Sequence, residues 1–177
     1  SGNNNLGHLI IGASPDTITL ISDLTADDIT INAGDFLITD GYEITLTNFL
    51  TIQNTGTLNA TNGTDGDSTI TLGGNWTNSG TFTADTSTVI LNGANQQING
   101  STTFNNLTKI VTTADTLTFV AGTTQTILGT TTLQGAAGQL LSLRSSATPT
   151  QWNIDPQGTR VISYVDVQDS NNVNALI

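Results

Sequence analysis

Between residues 68 and 111 apolar and polar positions alternate in runs of four or five, and each run is closed by Gly, Asn, Asp or Ser. In the run STITL, Ile70 and Leu72 fall on one side and Thr69 and Thr71 on the other, because side chains alternate along a strand. The pattern repeats at residues 81–83, 88–91 and 103–110. The apolar groups at 69–72, 89–91 and 107–110 return about every 19 residues, the signature of stacked coils. The expectation is an all-β chain: a parallel β-helix (β-solenoid) of about nine coils with no significant helix, about 45 Å tall at about 4.8 Å per coil.

Further strand candidates lie at residues 6–13, 17–21, 29–31, 36–38, 42–47, 50–52, 57–59, 116–120, 124–128, 131–133, 140–143, 151–154 and 161–167. The last reads as one strand, with Val161, Ser163, Val165 and Val167 on one face and Ile162, Tyr164 and Asp166 on the other. Asp40-Gly41 is a strong turn signal. Residues 62–67 are the most loop-like insert, and 145–149 read as a longer loop. No shift in composition divides the chain. Residues 1–177 are therefore expected to form a single solenoid domain, with 1–5 a flexible lead and 68–111 the clearest repeats.

Composition narrows the function classes. Three basic residues face 14 acidic ones, for a formal charge of −11. Nucleic-acid binding needs a basic footprint, and adhesion to anionic lipid needs one too. No apolar run approaches the roughly 18 residues of a membrane span. With no cysteine there are no disulfides or thiolate metal sites. Charged residues make up only 10%, and Thr, Asn and Gly stand in their place. Thr suits exposed strand positions because its β-branch fits the pleat, and Asn and Gly suit corners.

The segments GGNWTNSGTF (73–82), TVILNG (88–93), QQI (96–98) and TFNNL (103–107) resemble the repeat of large bacterial cell-surface β-helix proteins of the adhesin or haemagglutinin-like kind. WNI at 152–154 and SYVDV at 163–167 resemble the segment that often follows that repeat. The likeness covers most of the chain. It implies an exported, non-catalytic protein, extracellular or at the cell surface. Unlike that family, the chain is short, and no anchoring or sorting segment is expected within it.

Each candidate site has a plain competitor. Polysaccharide-cleaving β-helices need clustered Asp residues beside an Arg or Lys. Lys109, Arg144 and Arg160 are far apart in sequence and have no Asp cluster near them, so no enzyme is expected and no catalytic or cofactor-binding residue is assigned. Asn62, Asp65 and Asp67 supply hard oxygen ligands that Ca²⁺ would accept, although Asp and Gly are also what turns use. His8 is the single histidine and cannot form a zinc site alone. The five glycosylation sequons, at Asn59, Asn62, Asn75, Asn99 and Asn106, are what this composition produces by chance. Thr-x-Thr triplets starting at Thr17, Thr45, Thr69, Thr81, Thr116 and Thr124 resemble the arrays of ice-binding solenoids, but their irregular separation argues against one aligned face. Trp76, Phe82, Phe104, Phe119, Trp152 and Tyr164 are expected in the core rather than on a sugar-stacking platform.

The ends remain. A solenoid coil pairs only with the coils above and below it, and no amphipathic capping helix is legible at either end. Leu9, Ile10 and Ile11 near the start and Ala175, Leu176 and Ile177 at the finish are the expected self-assembly contacts. The partner would be a second copy in a head-to-tail homopolymer, or neighbouring domains of a longer chain. The alternative is a segment of a larger adhesin that binds surface glycans or protein on a lateral face.

Overall fold

The computed structural model describes residues 5–12, 15–61, 63 and 66–174. All are in strands, turns or irregular backbone, and every pairing between named strands is parallel. The first turn holds His8–Ile11 (β1), Thr17–Thr19 (β2) and Leu24–Ala26 (β3). The second holds Asp28–Ile31 (β4), Phe36–Ile38 (β5) and Ile44–Leu46 (β6), and the third Leu50–Ile52 (β7), Thr57–Asn59 (β8) and Thr69–Leu72 (β9). Next come Trp76–Asn78 (β10), Thr81–Thr83 (β11) and Thr88–Leu91 (β12), then Gln96–Asn99 (β13), Thr102–Phe104 (β14) and Asn106–Ile110 (β15). The sixth turn is Asp115–Phe119 (β16), Thr124–Ile127 (β17) and Thr131–Gln134 (β18); the seventh is Leu141–Ser145 (β19), Trp152–Pro156 (β20) and Arg160–Ser163 (β21). Val165–Val167 (β22) and Ser170–Asn172 (β23) follow.

Three strands make a turn and give the rod three faces. The first is an eight-stranded sheet running from β1 to β22 in steps of three, and the third is a seven-stranded sheet from β3 to β21. The second face is divided into β2-β5-β8-β11 and β14-β17-β20-β23, with no hydrogen-bonded pairing between β11 and β14.

The solenoid is thus present, with about seven turns rather than nine. Paired positions on the third face lie 19 and 18 residues apart from Ile70 to Val89 to Leu107, close to the period read from the sequence. From Leu107 to Thr131 and on to Arg160 they lie 24 and 29 apart, because longer corners are inserted between strands of similar length. The eight strands of the first face span about 34 Å at about 4.8 Å per step, less than the expected 45 Å.

Two segments read as single strands are each two. Residues 103–110 turn a corner at Asn105, so β14 and β15 lie on different faces. Residues 161–167 break at Tyr164, whose φ of 51° is incompatible with an extended strand. Val165 and Val167 therefore point inward from the first face, continuing the columns of buried Leu141 and Leu143. Tyr164 stands outside at 55% exposure, whereas the other five aromatic residues of the expected core are buried.

The core is a stack of columns, one residue per turn. On the third face, Ile44, Ile70, Val89 and Leu107 form one column and Leu46, Leu72 and Leu91 the next. At mid-rod aliphatic residues give way to rings. Trp76 meets Phe82 edge-on at 4.9 Å and Phe104 at 5.2 Å, and these rings bridge the divided second face. Phe119 and Trp152 stack at 3.8 Å, nearly coplanar. Corners bring backbone against backbone: a Cβ on Gly93 would lie 1.7 Å from the Gly73 carbonyl oxygen.

Ile70 is fully buried, with paired neighbours on both sides. Ile70→Ala is expected to cost about 2–5 kcal/mol through lost burial and the cavity left behind. The midpoint of urea unfolding followed by circular dichroism checks this.

Candidate functional site

The period of two along β15 turns Leu107 inward, and so places Lys109 inward and Ile110 outward. Lys109 is fully buried, in the column between Leu91 and Leu133, while Ile110 is 56% exposed. The Lys109 Nζ donates to the Gly93 carbonyl oxygen at 2.7 Å and to Gln96 Oε1 at 2.9 Å, and pairs with Asp115 Oδ2 at 2.9 Å. Gln96 in turn donates through Nε2 to the carbonyl oxygens of Leu72 and Gly74, at 2.9 and 2.6 Å. Asp115 Oδ1 accepts the backbone N–H groups of Asn95 and Thr116, each at 2.7 Å. Burial pushes the Asp115 carboxyl up, but the Asn95 amide, the Lys109 ammonium and the Thr116 amide together outweigh it and hold the group below its usual value.

This network fills a step in the first face. The inward pair there is Leu50 and Ile52 in the third turn and Trp76 and Asn78 in the fourth, in matching columns. In the fifth turn it is Gln96 and Ile98, and Ile98 takes the column of Trp76. The buried pair has moved two residues along the strand. Lys109 and Asp115 occupy the corner that this shift opens, beneath a depression of about 250 Å³ lined by residues 92–95 and 110–115. A neighbouring apolar and charged residue within one triplet, Leu107 and Lys109, was the signal for a buried cation, since both must share a face.

The other two basic residues lie on later turns. Arg144 pairs with Asp166 and donates to its carbonyl oxygen at 2.7 Å. Arg160 donates to the Pro156 carbonyl oxygen. Lys109 lies in the fifth turn, whereas Arg144 and Arg160 lie on the first and third faces of the seventh. His8 lies on the outermost strand of the first face, where its Nδ1 meets Asp28 Oδ2 at 2.5 Å. Asp27 accepts instead from the Asn5 amide and the Thr47 hydroxyl, which hold its carboxyl below the usual range.

Of the calcium candidates, Asn62 and Asp65 lie outside the described residues. Asp67 is exposed and accepts the Thr86 hydroxyl of the next turn at 2.5 Å. Gly63 and Gly66 bridge one another across the loop. Among the described residues no group of three or more His, Cys, Asp or Glu is placed to hold a metal ion.

The expected assembly residues divide likewise. Ala175, Leu176 and Ile177 lie outside the described residues. Leu9, Ile10 and Ile11 lie on β1, whose outer edge pairs with no other described strand. Leu9 and Ile11 face the core, and Ile10 is 63% exposed on the outside. Ile18 shares the column of Leu37, which is fully buried, yet is itself 42% exposed because no described turn lies beyond it. Leu6, Leu9, Ile11, Ile18 and Leu24 line an apolar depression of about 250 Å³ at this end. At the other end Ile162, in the column of buried Leu133, is 46% exposed, as is Val167.

The threonine triplets fall on different sheets: Thr17 and Thr81 begin triplets on the second face, Thr45 and Thr69 on the third, Thr116 on the first, and Thr124 on the second half of the second face. A different alignment emerges across turns. On the third face the outward column Thr25, Thr45, Thr71, Ile90, Thr108, Thr132 and Val161 holds register through all seven strands. Two residues along runs a second, containing Thr69, Thr88 and Asn106, with Thr130 and Thr159 in the same phase. The Asn106 amide donates to the Thr88 hydroxyl at 3.2 Å, and its Oδ1 accepts the Thr130 N–H at 2.8 Å.

Asp115→Ala is expected to destabilise by about 3 kcal/mol, because it leaves a buried ammonium without its counter-charge, and Lys109→Leu combined with Asp115→Ala should recover most of that loss. A carboxyl whose folded pKa is depressed gives stability that is complete above its unfolded value, about 3.9, and is lost as pH falls through the folded value. The stability gap between wild type and Asp115→Asn should therefore narrow below about pH 4, as read from melting temperatures across pH. Compared with known proteins, the chain matches no family model, no curated protein and no solved structure at a significant level.

Proposed function

We propose that the chain is a non-enzymatic, extracellular structural module whose solenoid turns continue end to end, one copy adding to the next head to tail. The observation that carries this reading is the exposure of core-column residues at both ends, with Ile18 at one end and Ile162 and Val167 at the other. In every interior turn the equivalent position is covered by the next turn. The outer edges of β1, β2 and β3, and of β21, β22 and β23, pair with no other described strand. A parallel strand presents complementary donors and acceptors along its two edges, so a second copy supplies both the hydrogen bonds and the apolar cover. The contact is heterologous and does not close, which makes a filament. An acidic chain with few charges, rich in Thr and Asn, fits a hydrated surface outside the cell.

Negative-stain electron microscopy of the purified chain is expected to show unbranched filaments about one solenoid wide. Ile18→Lys combined with Ile162→Lys, both at exposed positions, should give discrete short rods with unchanged circular dichroism. Discrete rods from the wild type at all concentrations would overturn the reading.

A further inference from the structure

We infer that the third face binds ice, through two outward columns that run from Thr69 and Thr71 in the third turn to Thr159 and Val161 in the seventh. The irregular spacing of threonine triplets in the sequence forbids an aligned face only if every turn has the same length. The structure removes that objection: insertions sit in the corners, and the outward columns stay in register while the turn length varies from 18 to 29 residues. From β9 to β21 the two columns pair Thr69 with Thr71, Thr88 with Ile90, Asn106 with Thr108, Thr130 with Thr132 and Thr159 with Val161. Over these five turns hydroxyls, amide and methyl groups alternate with no charged side chain, whereas in the first two turns the second column carries Asp23 and Glu43.

Two physical requirements of an ice contact are met together. The first is spacing. Neighbouring strands repeat at about 4.8 Å, and alternate residues along a strand at about 6.7 Å. Hexagonal ice repeats its oxygen rows at similar distances along its two principal axes, so hydroxyls on this grid can each hold a water in lattice position. The second is the absence of charge. An ammonium or carboxylate orders water around itself in a shell that does not match the lattice, whereas Thr offers a hydroxyl beside a methyl group. The Asn106 amide, fixed between the Thr88 hydroxyl and the Thr130 N–H, keeps the columns continuous where a threonine is missing. The first face lacks this regularity, since its inward pair steps sideways at the fifth turn and Arg144 and Asp166 stand on its surface. The occupant is therefore a lattice of water. The proposal holds whether or not the ends stack.

The test uses the whole chain with a fluorescent label, frozen slowly onto a polycrystalline ice surface, with ice recrystallisation followed in parallel. The wild type is expected to enter the ice and to slow grain growth at micromolar concentration. Thr108→Lys and Thr71→Lys, each outward and on the columns, should reduce incorporation at least tenfold, while Thr51→Lys on the first face should leave it unchanged. Circular dichroism establishes that each variant is folded, and Thr108→Val, which keeps the shape, provides a second variant that should retain part of the activity. Exclusion of the folded wild type from ice would overturn the proposal. So would equal incorporation of wild type and Thr108→Lys, or binding to crystalline cellulose with none to ice.

Discussion

The constraint on which everything else rests is that no strand of this chain can satisfy its own backbone. Except at the break between β11 and β14 and at the two ends, strand N–H and C=O groups are paired by the turns above and below, and a buried polar group left without a partner costs as much as a lost hydrogen bond. Once the turns are stacked, each needs only a few inward side chains, which is why 36% apolar residues suffice. The outward positions carry no packing duty. Thr fills them because its branched Cβ suits the pleat, and charge is scarce because like charges repeated every 4.8 Å or so up a column would repel.

The junction of the fourth and fifth turns is where the stack changes character. There the inward pair of the first face shifts by two residues, the second face loses its pairing, rings replace aliphatic side chains, and a lysine enters the core. These are one event seen from several sides. A shifted corner leaves volume and unsatisfied carbonyls together. Large rings take the volume, Trp76 donates its Nε1–H to the Thr102 hydroxyl, and Lys109, Gln96 and Asp115 take the carbonyls and amides. An aliphatic residue at 109 would fill space but leave the Gly93 carbonyl without its ammonium donor.

Much of the architecture was legible because strand alternation is local. Ile70 with Leu72 and Val89 with Leu91 identify their inward faces without any knowledge of what stacks on them. The number of turns was not legible, since corner length is free: the Asp67 loop and the segment from Ser146 to Gln151 lengthen turns without changing the strands on either side. Corners inside an apparently continuous run were missed for a similar reason. Tyr164 looks like a strand residue by composition, and only its left-handed backbone makes it a corner. The buried pair illustrates a different limit. Lys109 was read as one of three scattered cations, although its phase with Leu107 already placed it inside; its partner Asp115 could be found only once the corner between them had closed. The aligned threonine columns were hidden because register is a property of neighbouring turns, and sequence separation does not report it.

The division of the second face has a mechanical meaning. Tension along the axis passes from turn to turn through three hydrogen-bonded ladders everywhere except between Thr81–Thr83 and Thr102–Phe104, where only two are continuous and the third load path is a wedge of Trp76, Phe82 and Phe104. Rings in contact resist compression well and extension poorly, because dispersion forces fall away within an ångström or so of separation. The rod is therefore stiff when pushed and has a defined compliant joint when pulled, with about half of its turns on either side.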